Sequence, residues 1–311
     1  MPIGLTATYG EDPHVIAAGG QYIVTWSNNA AAKLLTVSNS GIPGIETEIS
    51  TPATFGDYVI GVASNASSLM GAWRATGTSS GGFVARNLGL DGRPLAPEQA
   101  LGSRILSTRA FLNWNPRSSV WNLIRTTPNL TELTTFTSSL TDSQNLSLAA
   151  FDLGFAALRS SDGAYALVRT QNQAIMLSLF DAGGGRLAQE RSIASGNIMA
   201  VAWSGNDLVL LFRDLGQAVV LQLNRSDGTF QEITLATAQA ANVAGELIAM
   251  GELWLVHWGD QVATVSQDFS ERTQALQLAW PYTRGAWGGP NAAFVYGGPG
   301  DLVMMELITC E

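Results

Sequence analysis

The chain's stock of nucleophiles, acids and bases is short. It holds two histidines, His14 and His257, one cysteine, Cys310, and 25 carboxylates in 311 residues. A structural zinc site takes three or four Cys, His or carboxylate ligands at recognisable spacing, and no such set occurs. Cys310 has no histidine near it in sequence and reads as an incidental thiol. His257 stands beside Trp258 in an apolar run and reads as a packed residue, whereas His14 follows Glu11-Asp12-Pro13 and is expected in an exposed loop. Glycoside cleavage needs two carboxylates facing each other across the scissile bond. Asp12, Asp57, Asp152 and Asp207 are available for this, but at no recognisable spacing. The expectation is a chain that is no enzyme and holds no metal or cofactor.

Recognition has better material. Asp214, Asp260 and Asp301 each follow an apolar run in the last third of the chain, and three acids on neighbouring turns would form an arc able to accept hydrogen bonds or hold a cation. Aspartate is also an ordinary turn residue, and the arc competes with that plainer reading. Of the nine tryptophans, Trp26, Trp73, Trp114 and Trp258 close similar apolar runs and are expected in the packing. Trp280, Tyr282 and Trp287 lie instead in a stretch rich in Gly and Pro, and are the candidates for exposed aromatic anchors. Asn-x-Ser/Thr sequons at Asn65, Asn129, Asn145 and Asn224 are no more than a Ser/Thr-rich chain yields by chance.

Composition narrows the partners. Charged residues are only 13% of the chain, and the sole lysine is Lys33. The net charge of −9 excludes a general nucleic-acid surface, which needs a basic stripe. No apolar run approaches the roughly 18 residues of a membrane-spanning helix. The opening residues, Met1-Pro2-Ile3-Gly4-Leu5-Thr6, lack the basic and apolar regions of a secretory signal. One cysteine precludes an intramolecular disulfide.

What must position these residues is a repeat. Strand-like runs begin at Leu34, Phe83, Trp121, Ile175, Val219, Val262 and Leu302, separated by 49, 38, 54, 44, 43 and 40 residues. A second apolar run precedes each: Tyr22 to Trp26, Leu69 to Trp73, Ala110 to Trp114, Tyr165 to Val168, Leu208 to Phe212, Leu253 to Trp258 and Ala292 to Tyr296. Upstream again come small-residue runs such as Val15-Ile16-Ala17-Ala18 and Met199-Ala200-Val201-Ala202, with hairpin signals at Gly19-Gly20, Gly205-Asn206 and Gly251-Glu252. A fourth, half-polar strand follows, as in Phe230 to Leu235. No segment keeps a 3.6-residue apolar stripe for three turns with caps. Residues 101–109 leave little room for a first strand in the third unit, and Leu146 to Leu153 reads as an insertion before the fourth.

A period of about 45 residues of this kind resembles the seven-bladed β-propeller superfamily. The likeness spans residues 1–311 as one domain, with blades near 14–50, 58–101, 103–139, 154–194, 198–237, 245–280 and 284–309. Residues 3–9 are expected to complete the last blade beside residues 302–309. The Trp-Asp dipeptide of the WD40 class is missing, since the equivalent runs end in Trp26-Ser27, Trp73-Arg74, Trp114-Asn115 and Trp258-Gly259. The Ser-x-Asp-x-Gly box of sialidases and the Asp-rich loop of integrin-type blades are missing too. The resemblance implies an all-β ring of four-stranded blades without implying an activity. The expected role is a non-catalytic module docking other proteins or surface glycans through its faces, as in a virion or surface assembly. A carbohydrate-active enzyme and an intracellular interaction platform stand as the alternatives.

Overall fold

The computed structural model describes residues 3–5, 11–27, 31–51, 59–75, 82–101, 109–127, 130–140, 144–149, 154–159, 161–215, 217–223, 230–237, 245–278, 284–289, 291–297 and 302–309. Every regular element among them is a strand. The first, β1, is Ile3–Leu5. Six antiparallel sheets of four consecutive strands follow. The first comprises β2 (Glu11–Ala18), β3 (Gln21–Ser27), β4 (Ala32–Ser38) and β5 (Pro43–Glu48). The second holds β6 (Val59–Ser64), β7 (Leu69–Ala75), β8 (Gly82–Leu88) and β9 (Gln99–Ala100). The third holds β10 (Arg109–Asn115), β11 (Val120–Thr127), β12 (Leu130–Phe136) and β13 (Gln144–Ala149). The fourth runs through β14 (Gly154–Leu158), β15 (Tyr165–Gln171), β16 (Ala174–Phe180) and β17 (Arg186–Ser195). The fifth is β18 (Asn197–Ser204), β19 (Asp207–Asp214), β20 (Gln217–Leu223) and β21 (Phe230–Thr237), and the sixth is β22 (Gly245–Met250), β23 (Leu253–Trp258), β24 (Gln261–Ser266) and β25 (Leu276–Gln277). The last sheet is built from β26 (Arg284–Trp287), β27 (Asn291–Gly297) and β28 (Val303–Thr309), with β1 as its fourth strand. Ile3 lies opposite Met305 and Leu5 opposite Val303.

Hairpin chemistry sets the order of strands. Gly19 and Gly20, between β2 and β3, both take positive φ (59° and 74°), the left-handed pair that matches the twist of a two-residue hairpin. The second strand of each sheet is central, flanked by hydrogen-bonded neighbours and covered on both faces by adjacent sheets. That position explains why β3, β19, β23 and β27 read as continuous apolar runs rather than alternating ones. The fourth strands β5 and β17 are largely exposed and polar.

The core is divided among the gaps between sheets. Ile23, Leu34 and Ile49 of the first sheet meet Val62, Trp73 and Val84 of the second. Comparable clusters join second to third, third to fourth, fourth to fifth, fifth to sixth and sixth to seventh. Tyr22, Val24 and Trp26 of the first sheet pack on Val295, Val303 and Met305 of the last. The first strands follow the same cyclic order, with β26 lying against β2. Trp26, Trp73 and Trp258 are fully buried near the ends of β3, β7 and β23. Arg125 adds a polar tie: its guanidinium donates to Glu132, to Thr134 and to the Leu101 carbonyl, and stacks over Phe83 of the second sheet.

The third sheet corrects the strand assignment made from sequence. Ala110 to Trp114 belongs to the first strand, Trp121 to Ile124 to the second, and Leu146 to Ala149 to the fourth rather than to an insertion. The small-residue signature of a first strand misleads here, because β10 carries Phe111, Leu112 and Trp114 where β18 carries alanines. Trp114 is therefore not equivalent to Trp26; it is half-buried and tilted against Trp121 at 4.9 Å.

Since β1 hydrogen-bonds to β28 along one edge of the last sheet, deletion of Met1 to Tyr9 is expected to lower the melting temperature and promote aggregation through the edge it bares. An unchanged melt would show that β1 carries no weight in the fold.

Candidate functional site

The turns between second and third strands gather on one face, which we call the mouth. Asp214 ends β19 and pairs with Gln217 across a tight turn. Asp260 sits in the turn from β23 to β24, where its carboxylate accepts from Gln277 Nε2 at 3.2 Å and its carbonyl from the Leu278 N–H at 2.6 Å. Asp301, Trp280 and Tyr282 lie outside the described residues, as do Asp57, Asp152 and Cys310. Among the described residues no three His, Cys, Asp or Glu side chains come together as a metal would require. Trp287 ends β26, is half-buried, and packs against the apolar cluster of Met250, Leu255 and Phe294, so its ring serves the gap between sixth and seventh sheets. Asn115 to Ser119 is a first-to-second-strand turn and lies on the face opposite the mouth.

Near the mouth, three first strands bring together a cluster that sequence reasoning missed. Glu246 of β22 stands opposite His257 of β23 in register. One of its carboxylate oxygens faces Arg284 Nη1 of β26 at 3.9 Å, and the other accepts a hydrogen bond from the Gly285 N–H. His14 is half-buried in β2 rather than exposed in a loop, opposite Thr25 and close enough to Arg284 to feel its charge. His257 is wholly buried, donates from Nε2 to the Gly259 carbonyl at 2.8 Å, and lies 5.7 Å from the Phe294 ring. The signal available in sequence was a lone carboxylate in an otherwise apolar first strand, Gly245-Glu246-Leu247-Ile248, and a lone arginine opening the equivalent strand at Arg284.

Burial governs the protonation of this cluster. It pushes the Glu246 carboxyl up to about 7, with the Arg284 guanidinium and the Gly285 N–H pulling the other way. It pushes His14 down to about 3, helped by the charge of Arg284. His257 falls to about 4 for the same first reason, against the pull of its bond to the Gly259 carbonyl; Arg284 lowers it further and Asp260 raises it. Near neutrality the arrangement thus holds two uncharged imidazoles, one guanidinium, and a carboxyl balanced between its two forms.

The sign of the pH dependence follows. Glu246 binds its proton more tightly folded than unfolded, so its contribution is fully present below about 4.5 and is lost as pH rises towards 7. The two histidines act in reverse, favouring the fold above their ordinary value of 6.5 and losing it as pH falls towards 4 and 3. Glu246→Gln should therefore gain stability over the parent between pH 5 and 8, by roughly 3 kcal/mol at most, because each tenfold change in proton affinity is worth ~1.4 kcal/mol. Thermal melts of both proteins across that range test this, and a difference independent of pH would refute it.

No protein-family model matches the chain, and no curated protein sequence matches it. Solved structures do match in fold. The β-propeller domain of Cps50 (Swd1) from Myceliophteria thermophila is 11% identical, with a TM-score of 0.66 over 99% of this chain and 100% of that one. Hydrazine synthase from Kuenenia stuttgartiensis is 8% identical, with a TM-score of 0.73 over 99% and 97%. A chain of the mitotic checkpoint complex is 13% identical, with a TM-score of 0.69 over 100% and 91%. Likeness at such identities carries the fold alone, and with the sheets described above it makes the chain an all-β propeller of four-stranded blades.

Proposed function

We propose that the chain is a non-catalytic, protein-binding propeller whose sheets work as one closed ring of seven blades and whose mouth is the docking face. The observation that carries this reading is Leu215. It tips the turn between β19 and β20 at a φ of 46°, a left-handed conformation that costs a branched-chain residue strain, and its side chain is 98% exposed. With Leu276 exposed on the same face, we read this side chain as an anchor for a pocket of the partner. On the same face of the next sheet, Leu276 is also exposed, one residue before the Gln277 that ties down Asp260. The two leucines flank Asp214 and Asp260, an apolar pair with a polar rim of the composition protein interfaces use. Coarse support comes from the fold likeness to a chain of the mitotic checkpoint complex.

The wider reading, a virion or surface assembly that holds glycans, rests on the low charge and single lysine of the chain and on Trp280, Tyr282 and Trp287 as stacking rings. The leucines favour a protein partner, because sugars stack on flat rings rather than on aliphatic side chains.

Leu215→Asp and Leu276→Asp should each weaken capture of the native partner by at least tenfold while leaving the melting temperature unchanged, since neither side chain is buried. Ile45→Asp, on the exposed outer strand β5, is the control expected to bind normally. Normal capture by both mouth variants would move the interface elsewhere on the ring, and turnover of labelled oligosaccharides by the parent would replace the binding reading with an enzymatic one.

A further inference from the structure

The gap between the third and fourth sheets differs from the other gaps in what it buries. Its apolar part is Ile124, Leu133, Ala156, Leu167 and the stacked pair Tyr165 and Phe180, whose rings lie 5.3 Å apart. Register puts further side chains on the same inner faces. Asn122 stands opposite Asn113 and Thr135, two residues from Ile124. Ser178 stands opposite Leu167. Asn115 reaches the gap from the end of β10, where a Cβ on Gly163, two residues before Tyr165, would meet its Nδ2 at 2.3 Å.

These polar groups are buried without partners among the described residues. Both amide atoms of Asn122, the Nδ2 of Asn115, the hydroxyls of Ser178 and Thr131 and the phenol of Tyr165 make no hydrogen bond there, in residues that are all at most 1% exposed. An orphaned buried polar group costs more than the bond it lacks, and one gap collecting several calls for a common partner that can both donate and accept. The first strands that flank the gap, β10 and β14, also touch over less of their length than any other neighbouring pair of described first strands. No charged side chain shares the orphaned set of this gap, which sets the chemistry of the occupant.

We propose that this gap is a binding seam for small, neutral, hydroxylic molecules, water being the occupant at rest. Asn122 supplies both a donor and an acceptor, Asn115 a donor, and the hydroxyls of Tyr165, Ser178 and Thr131 complete the partners that an internal water needs. The seam makes the joint between third and fourth sheets the compliant one of the ring, because its contacts can be exchanged for water without opening a dry core.

Magnetic relaxation dispersion of water on the full chain, with nuclear Overhauser transfer to the Asn122 and Asn115 amide protons, tests this. Long-lived waters that exchange magnetisation with these amides are expected, and Asn122→Leu should remove at least one of them without raising the melting temperature. Amide exchange in β11 and β15 should be faster than in the equivalent β3 and β7. A dry gap would behave otherwise, with no transfer to either amide and a higher melting temperature for Asn122→Leu, because removing an orphaned amide from an apolar site relieves its desolvation. That outcome overturns the proposal. Ser178→Ala, a smaller change, keeps the test open should Asn122→Leu fail to fold: loss of a long-lived water in it supports the seam, and an unaltered dispersion profile counts against it.

Discussion

The sheets cover one another's faces, and the cover comes from neighbouring sheets rather than from helices. A four-stranded sheet alone would leave two apolar faces in water, at a cost of about 25 cal/mol per Å². Packing face to face with neighbouring sheets removes that exposure, and Trp26 of the first sheet shares such a cluster with Met305 of the last. The strand types follow from this constraint. The doubly covered second strands must be apolar throughout, whereas the fourth strands, with one edge in solvent, carry Glu46, Glu48 and Glu190. The fold is held chiefly by distributed apolar contacts, and the ionisable groups near the mouth include a carboxyl and two imidazoles displaced far from their ordinary protonation.

The architecture is legible because this constraint writes itself into sequence as a period. Tyr22 to Trp26 and Leu208 to Phe212 are recognisable as central strands from composition alone, and Gly19-Gly20 marks its hairpin without any structural knowledge. Legibility fails where a unit breaks the shared pattern. β10 replaces small residues by Phe111 and Trp114, so the third sheet reads one strand out of step, and the true fourth strand with Leu146 looks like surplus chain. The site is less legible than the fold. Glu246 and His14 lie 38 and 270 residues from Arg284 in sequence, and only the cyclic adjacency of β22, β26 and β2 brings the three together. His14 looks exposed because Asp12-Pro13 suggests a loop, but β2 begins earlier, at Glu11, and takes Pro13 at a register shift in its ladder with β3.

The mouth and the hydrated seam divide the ring's tasks between different sheets. Leu215, Leu276 and the ionisable cluster belong to the fifth, sixth, seventh and first sheets, whereas the orphaned amides of the seam belong to the third. On the proposed reading, a docking face on one set of sheets and a compliant joint on another would let the molecule adjust to a partner without disturbing the surface that meets it.

The pairing of Ile3 with Met305 has a consequence in time. During synthesis β1 is made long before it can find its place, because its neighbour follows about 300 residues later. Closing so long a loop is slow, and until it happens β1 is a bare strand and the last sheet is unfinished. Until β28 is made, β1 therefore has no strand to pair with, and the ladder from Ile3 to Leu5 forms only after all the strands between them.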